Sequence, residues 1–203
     1  MDFPYFDLCV ANIPYQISSP LVFKLLSHRP LFRAAVLMFQ AEFAMRLVAR
    51  PGDNVYSRLS ANTALLSRVT HLLKVGRNNF RPPPKVDSSV VRIEPRNPVP
   101  DVNFREWDGL LRLCFGRKNK TLGGIFRQKT TLALLEGNYR TARALQVGGD
   151  VEMDDAGDSE AFKARVIGVL EGNGLDQERS SKLSVDAFLK LLSLFNAAGV
   201  HFA

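Results

Sequence analysis

The first ninety-five residues carry short apolar runs alternating with stretches of helical spacing, each punctuated by proline, glycine or small polar residues. Asp7-Leu8-Cys9-Val10-Ala11 is an apolar run between Pro4 and Pro14, and it predicts a buried strand feeding a tight turn. Ser18-Ser19-Pro20 predicts a helix start, with a serine N-cap and proline at the first helical position, and Leu21, Val22, Leu25 and Leu26 form its apolar face. Ala34 to Phe39 reads as a second buried strand ended by Gln40. Ala41 to Arg50 reads as an amphipathic helix with Phe43, Leu47 and Val48 inward, stopped by Pro51-Gly52. A further helix is expected from Tyr56 to Arg68, with Leu59, Thr63 and Leu66 on one side, and a third strand from Thr70 to Val75. The β-branched run after Ser88 predicts a strand that closes the sheet. This order is an α/β pattern, expected to form a parallel sheet.

After Pro95 the pattern changes. Arg96-Asn97-Pro98-Val99-Pro100-Asp101 is a proline-rich linker, dividing the chain into residues 1–95 and 96–203. Beyond it Asn103 and Glu106 suggest a capping box, followed by Phe104, Trp107, Leu110, Leu111 and Cys114 at helical spacing. Trp107 is expected in the core. Thr131 to Leu135 is expected to be helical and Gly148 to Asp158 a solvated acidic connector. Two closing helices are expected at Ser159 to Glu171, with Phe162, Val166, Val169 and Leu170 inward, and at Val185 to Ala197, with Phe188, Leu189, Leu192 and Phe195 inward. Ser184 and Gly199 cap the second of these.

Charge distribution adds to this picture. The net charge is +7, yet residues 77–129 hold 12 basic and 5 acidic side chains while residues 130–203 hold 7 and 11. That is a basic patch, which suits a polyanion and nucleic acid first; a solvated basic face is the plainer alternative. Two isolated cysteines, Cys9 and Cys114, and three scattered histidines suggest a reducing compartment, packing roles for both thiols and no structural zinc. No apolar run approaches membrane-spanning length and no signal peptide is evident, so the expectation is a soluble intracellular protein with no membrane and no metal.

Candidate chemistry lies at the end of the first strand, in Asn12-Ile13-Pro14-Tyr15. In an open α/β sheet, ligands bind beyond the carboxyl ends of the strands. The residues fit a strand capped by an Asx-type turn, with Tyr15 filling the core. They also fit a site for an exocyclic amine. The amine of adenine has its lone pair delocalised into the ring and must become more tetrahedral before it attacks a methyl group. The side-chain carbonyl of Asn12 and the backbone carbonyl of Ile13 are two acceptors that could draw on its hydrogens. Pro14 has no N–H to compete, and Tyr15 can lie against the base. A second stretch, Asn79-Phe80-Arg81-Pro82-Pro83-Pro84-Lys85-Val86-Asp87-Ser88, presents Phe80 from an extended proline loop, suited to stacking, with Arg77, Arg81 and Lys85 suited to phosphates. Arg117, Lys118 and Lys120, in the turn from Phe115 to Thr121, suit gripping a phosphate backbone without reading sequence, and Arg127 is grouped with them. Gly123-Gly124 allows close backbone approach.

Asn12-Ile13-Pro14-Tyr15, the signature from Phe80 to Ser88 and the basic Arg117-Lys118-Asn119-Lys120-Thr121-Leu122 together resemble the universal small-subunit rRNA adenine dimethyltransferase family, most of all its eukaryotic and archaeal branch. The first motif is shared by many amino-methyltransferases, where it stands at the end of the fourth strand; the second is far more diagnostic. The resemblance implies the C-terminal half of a Rossmann-like class I methyltransferase sheet in residues 1–95, followed by a small all-α RNA-binding domain in residues 96–203. It implies transfer of methyl groups from S-adenosylmethionine to the N6 amines of two adjacent adenosines near the 3′ end of small-subunit rRNA. Catalytic roles fall on Asn12, Ile13, Pro14, Tyr15 and Phe80, cofactor binding on Asn12, and RNA binding on Arg77, Arg81, Lys85, Arg117, Lys118, Lys120 and Arg127. The partners implied are the rRNA and a pre-ribosomal particle, in the nucleus or nucleolus of a eukaryote.

The glycine-rich loop and acidic residues that hold the donor in such enzymes have no counterpart before Asn12. The 203 residues alone are therefore expected to leave a strand edge uncovered and to be weakly stable or self-associating. Two other functions stay open. One is a non-catalytic RNA-binding assembly factor; the other is a related transcription or DNA-modifying protein.

Overall fold

The computed structural model describes residues 3–147 and 155–203, which divide into two compact units, Met1–Asp101 and Val102–Ala203.

In the first unit, the apolar runs form a four-stranded sheet in the order β1-β2-β4-β3, with β1 Leu8–Asn12, β2 Ala34–Gln40, β3 Ser67–Val75 and β4 Ser88–Pro95. Only β1 and β2 are parallel. β4 runs antiparallel to both β2 and β3, so the sheet is mixed where an all-parallel one was expected. The reason is the character of the connection, in which Pro82-Pro83-Pro84 forbid a helix. The loop from Val75 to Ser88 carries no crossover helix, and without one the chain can only return antiparallel.

Three helices accompany the sheet: α1 Ser18–Ser27, α2 Ala41–Val48 and α3 Arg58–Leu66. Val22, Leu25, Leu37, Phe39, Ala44, Leu47, Val91 and Ile93 form a core that excludes water almost completely. β1 differs from the buried strand expected of it. Leu8, Val10 and Asn12 share one face and are exposed, Val10 at 78%, while Cys9 and Ala11 turn half-buried toward the core.

Several helix ends depart from the sequence reading. Ile17 is the residue preceding α1, and Ser18 is its first residue, its Oγ donating to the Tyr15 carbonyl at 2.7 Å. Pro20 thus stands in the first turn, where a missing N–H costs nothing. α2 stops at Val48. α3 stops at Leu66 and β3 begins at Ser67, three residues before the expected start, because Arg68 and Val69 pair with Glu94 and Ile93.

The second unit is helical: α4 Phe104–Gly116, α5 Leu122–Phe126, α6 Lys129–Val147, α7 Asp155–Glu171 and α8 Val185–Ala197. Trp107 is fully buried, edge-on to Phe188 at 6.2 Å between ring centres, as expected of a core residue. Phe104 is 39% exposed, and Leu191 takes the inward place that the sequence reading left out. The capping box forms only in part. Asn103 Oδ1 accepts from the Arg105 and Glu106 amides at 3.0 and 3.4 Å, but the buried Glu106 carboxylate accepts the Phe202 N–H at 2.8 Å. α6 extends far beyond Thr131–Leu135, and α7 starts at Asp155, so residues 155–158 of the expected connector are helical; residues 148–154 lie outside the described residues. Ser184 caps α8 through the Ala187 amide at 3.1 Å, and Gly199 follows in the left-handed region at φ 75°.

Candidate active site

Register puts the candidate residues at one end of the sheet. Asn12 closes β1 beside Met38, Gln40 closes β2 beside Ser88, and Val75 closes β3, also beside Ser88. Because β4 starts where the parallel strands finish, the loop from Gly76 to Asp87 lies at the same carboxyl end as Asn12-Ile13-Pro14-Tyr15. This is the end at which open α/β sheets bind ligands.

The turn is ordered by its own backbone. Pro14 has φ −58° and ψ 132°, and its carbonyl accepts the Ile17 N–H at 3.2 Å as Tyr15–Ile17 form one 3-10 turn. Ile13 packs on the hydrophobic core. The Asn12 side chain is exposed and has no hydrogen-bond partner among the described residues, so the Asx-turn alternative is not what the structure adopts. Its carbonyl and amide are free to meet a ligand. Tyr15 is half-buried, and its hydroxyl stands 2.7 Å from Ser88 Oγ, 73 residues further along the chain. That bond ties the two sequence signatures together.

Asp87 organises the loop from beneath. Its carboxylate accepts from Lys74 Nζ at 2.7 Å and from the Arg77 amide at 3.1 Å, and its carbonyl accepts the Ala41 N–H at 2.9 Å. The Lys74 ammonium, and then the Arg77 N–H, hold the Asp87 carboxyl below the usual carboxylate range. Phe80 is half-buried with extended backbone, and it makes no ring contact with Tyr15. Arg77, Arg81 and Lys85 are exposed, with Arg77 Nη1 3.5 Å from the Lys85 carbonyl. Neither Asp87 nor Ser88 is assigned a role in the sequence reading, although both lie in its second signature. Their partners sit on β3 and in the Asn12 turn, and no local spacing reveals them.

In the second unit, Phe115 to Lys120 line an open depression of about 710 Å³, with Arg117 and Lys120 exposed on it. Lys118 is half-buried and its carbonyl accepts the Ser181 N–H at 3.1 Å. Arg127 stands apart, paired with Glu171 at 2.6 Å. The close approach at Gly123 is made by this chain's own backbone, the Gly123 N–H donating to the Asp176 carbonyl at 2.9 Å. The thiols serve packing, as expected. Cys114 is fully buried and burial pushes it up to about 12, far from a reactive thiolate; burial also raises Cys9. Among the described residues no three His, Cys, Asp or Glu side chains gather as a metal site needs, and no helix is long and apolar enough to cross a membrane.

A mixed sheet that presents an amide-aliphatic-proline-aromatic turn at its carboxyl end marks the class I methyltransferase fold, and comparison with solved structures agrees. A crystal structure of a dimethyladenosine transferase from Plasmodium falciparum superposes with a TM-score of 0.90 at 49% identity, covering all of this chain and 71% of that one. The 23S rRNA methyltransferase ErmE shares the fold alone, at a TM-score of 0.55 and 22% identity over 93% of this chain and 65% of that one. The family model for ribosomal RNA adenine dimethylase matches residues 5–161, and the chain belongs to that family. It is 60% identical over its whole length to a probable dimethyladenosine transferase of Dictyostelium discoideum. It is 56% identical, over 99% of its length, to a ribosomal RNA small subunit methyltransferase of Arabidopsis thaliana. It spans 63% and 67% of those two proteins.

Proposed function

We propose that this chain carries the base-holding part of an enzyme that dimethylates the N6 amines of two adjacent adenosines near the 3′ end of small-subunit rRNA. The observation that carries the reading is Asn12: an exposed amide with no hydrogen-bond partner among the described residues, at the carboxyl end of β1, in a turn fixed on both sides. A satisfied structural asparagine would have spent its hydrogen bonds on the backbone. This one keeps them for a ligand.

The target adenine leaves its stack and lies against Tyr15, with Phe80 offered from the opposite loop. The Asn12 side-chain carbonyl and the Ile13 carbonyl accept the amine hydrogens, drawing electron density back onto the nitrogen at the moment of attack. The amine loses its proton after the new bond has formed, so no strong base is required of this chain. S-adenosylmethionine supplies the electrophilic methyl group. Of the residues that would hold it, this chain contributes Asn12, whose exposed amide offers hydrogen bonds to a charged, polar donor. The depression at Phe115–Lys120, with Arg117 and Lys120, grips the RNA backbone, as do Arg77, Arg81 and Lys85 in the first unit. Arg127 is the weakest of that set, because Glu171 already neutralises it. Pre-ribosomal particles are the natural carriers of this RNA, and the nucleolus the place of work in a eukaryotic cell. The exposed edge of β1 also makes self-association of the isolated chain expected.

The test uses the full-length protein, labelled methyl donor and immature small subunits. Two adenines become labelled, and Asn12→Ala abolishes the labelling without changing the melting temperature. RNA binding with steep salt dependence but no methyl transfer would instead identify a non-catalytic assembly factor.

A further inference from the structure

The Tyr15–Ser88 bond joins a half-exposed ring to a fully buried hydroxyl. A tyrosine in a surface turn has two free side-chain torsions and ordinarily exchanges rotamers. Here the ring is held at both ends. Its backbone is fixed by the Ile17 N–H on the Pro14 carbonyl and by Ser18 Oγ on the Tyr15 carbonyl; its hydroxyl is fixed by Ser88. Ser88 is itself an unusually firm anchor. It is the first residue of β4, it pairs with Gln40 on one side and Val75 on the other, and the preceding Asp87 is tied to β3, to the Arg77 amide and to Ala41.

We propose that Ser88 is a positioning residue, which fixes the plane of the Tyr15 ring before any base arrives. The inference rests on the proposed function, since the plane matters only if a base lies on the ring. The entropy of immobilising the ring is then spent in folding and not when RNA binds, and the displaced base meets a platform already aligned with Asn12 and Ile13. Ser88 does not touch the base. It acts through Tyr15, and the loss of either hydroxyl removes the same restraint.

A double-mutant cycle tests this in the full-length protein. Tyr15→Phe deletes the bond from its half-exposed side and Ser88→Ala from its buried side. Each is expected to lower kcat about fivefold, the loss of one ordinary hydrogen bond, with the double variant no worse than either single one. A fluorescent 2-aminopurine at the target position is expected to lose its stacking quench in all three variants by the same amount. Multiplying losses in the double variant, or a Tyr15→Phe enzyme with wild-type kcat and quench, would overturn the proposal. So would losses that follow a lowered melting temperature. Asn12→Ala keeps the two questions separate. If it abolishes transfer while the cycle shows no coupling, the positioning role fails alone; if it leaves transfer intact, the proposed function fails.

Discussion

Asn12 and Asp87 lie at the same end of the sheet and differ in how they use their polar atoms. Asn12 spends none on the protein, so Asn12→Ala is expected to remove activity and leave the melting temperature within a degree or so, as exposed substitutions ordinarily do. Asp87 uses both carboxylate oxygens on the protein, one on Lys74 of β3 and one on the Arg77 amide of the loop. Its carboxyl titrates below the ordinary range in the folded chain, so the stability it contributes is complete above the unfolded carboxylate range. That stability is lost as pH falls through the lowered value. Asp87→Asn is expected to flatten the acid limb of a melting-temperature profile below pH 5, measured by circular dichroism. Gly109 makes a different sort of prediction. A Cβ there would stand 2.2 Å from the Phe202 carbonyl oxygen, so Gly109→Ala should destabilise the second unit by about 1–3 kcal/mol in urea titration. Asn12 and Tyr15 stand out as candidates in the sequence because the chemistry proposed for them is carried by four consecutive residues. Ser88, Asp87 and Glu106 were not, because each acts on a residue brought close only by the fold.

Among the elements, the strands were read best where one face is buried and the other half-buried. β2 matches its expected bounds to within a residue, since an unbroken apolar run has no other stable placement. β3 was read worst. It is a mostly exposed edge strand whose Arg68, His71 and Lys74 interrupt any alternation, and a bulge between His71 and Leu73 breaks its period. Helix starts followed the same rule. Ser184 was identified correctly because its hydroxyl caps its own helix, and Ser184→Ala should cost about 1 kcal/mol of stability in urea titration. The serine N-cap expected from Ser18-Ser19-Pro20 does not form: Ile17 precedes α1, and Ser18, its first residue, bonds back to the preceding turn. The basic depression after α4 carries its own prediction. Arg117→Ala with Lys120→Ala should reduce the slope of log affinity against log salt by about 1 per residue, without changing sequence preference, in RNA-binding titrations.

For the molecule as a whole, composition gave the two units their contrast, an α/β sheet and a helical bundle, and their different charge. It did not give strand direction. The reversed β4 follows from a proline-rich connection that carries no crossover helix, and this reversal keeps both ends of the proline loop at the end of the sheet where Asn12 lies. The reversal also sets a timetable during synthesis. Residue 15 leaves the ribosome 73 residues ahead of its partner, a delay of about 4–15 s at ordinary elongation rates of roughly 5–20 residues per second. Through that interval the nascent turn has no clamp, and a newborn chain secures the Tyr15 ring only when the last strand slots into place.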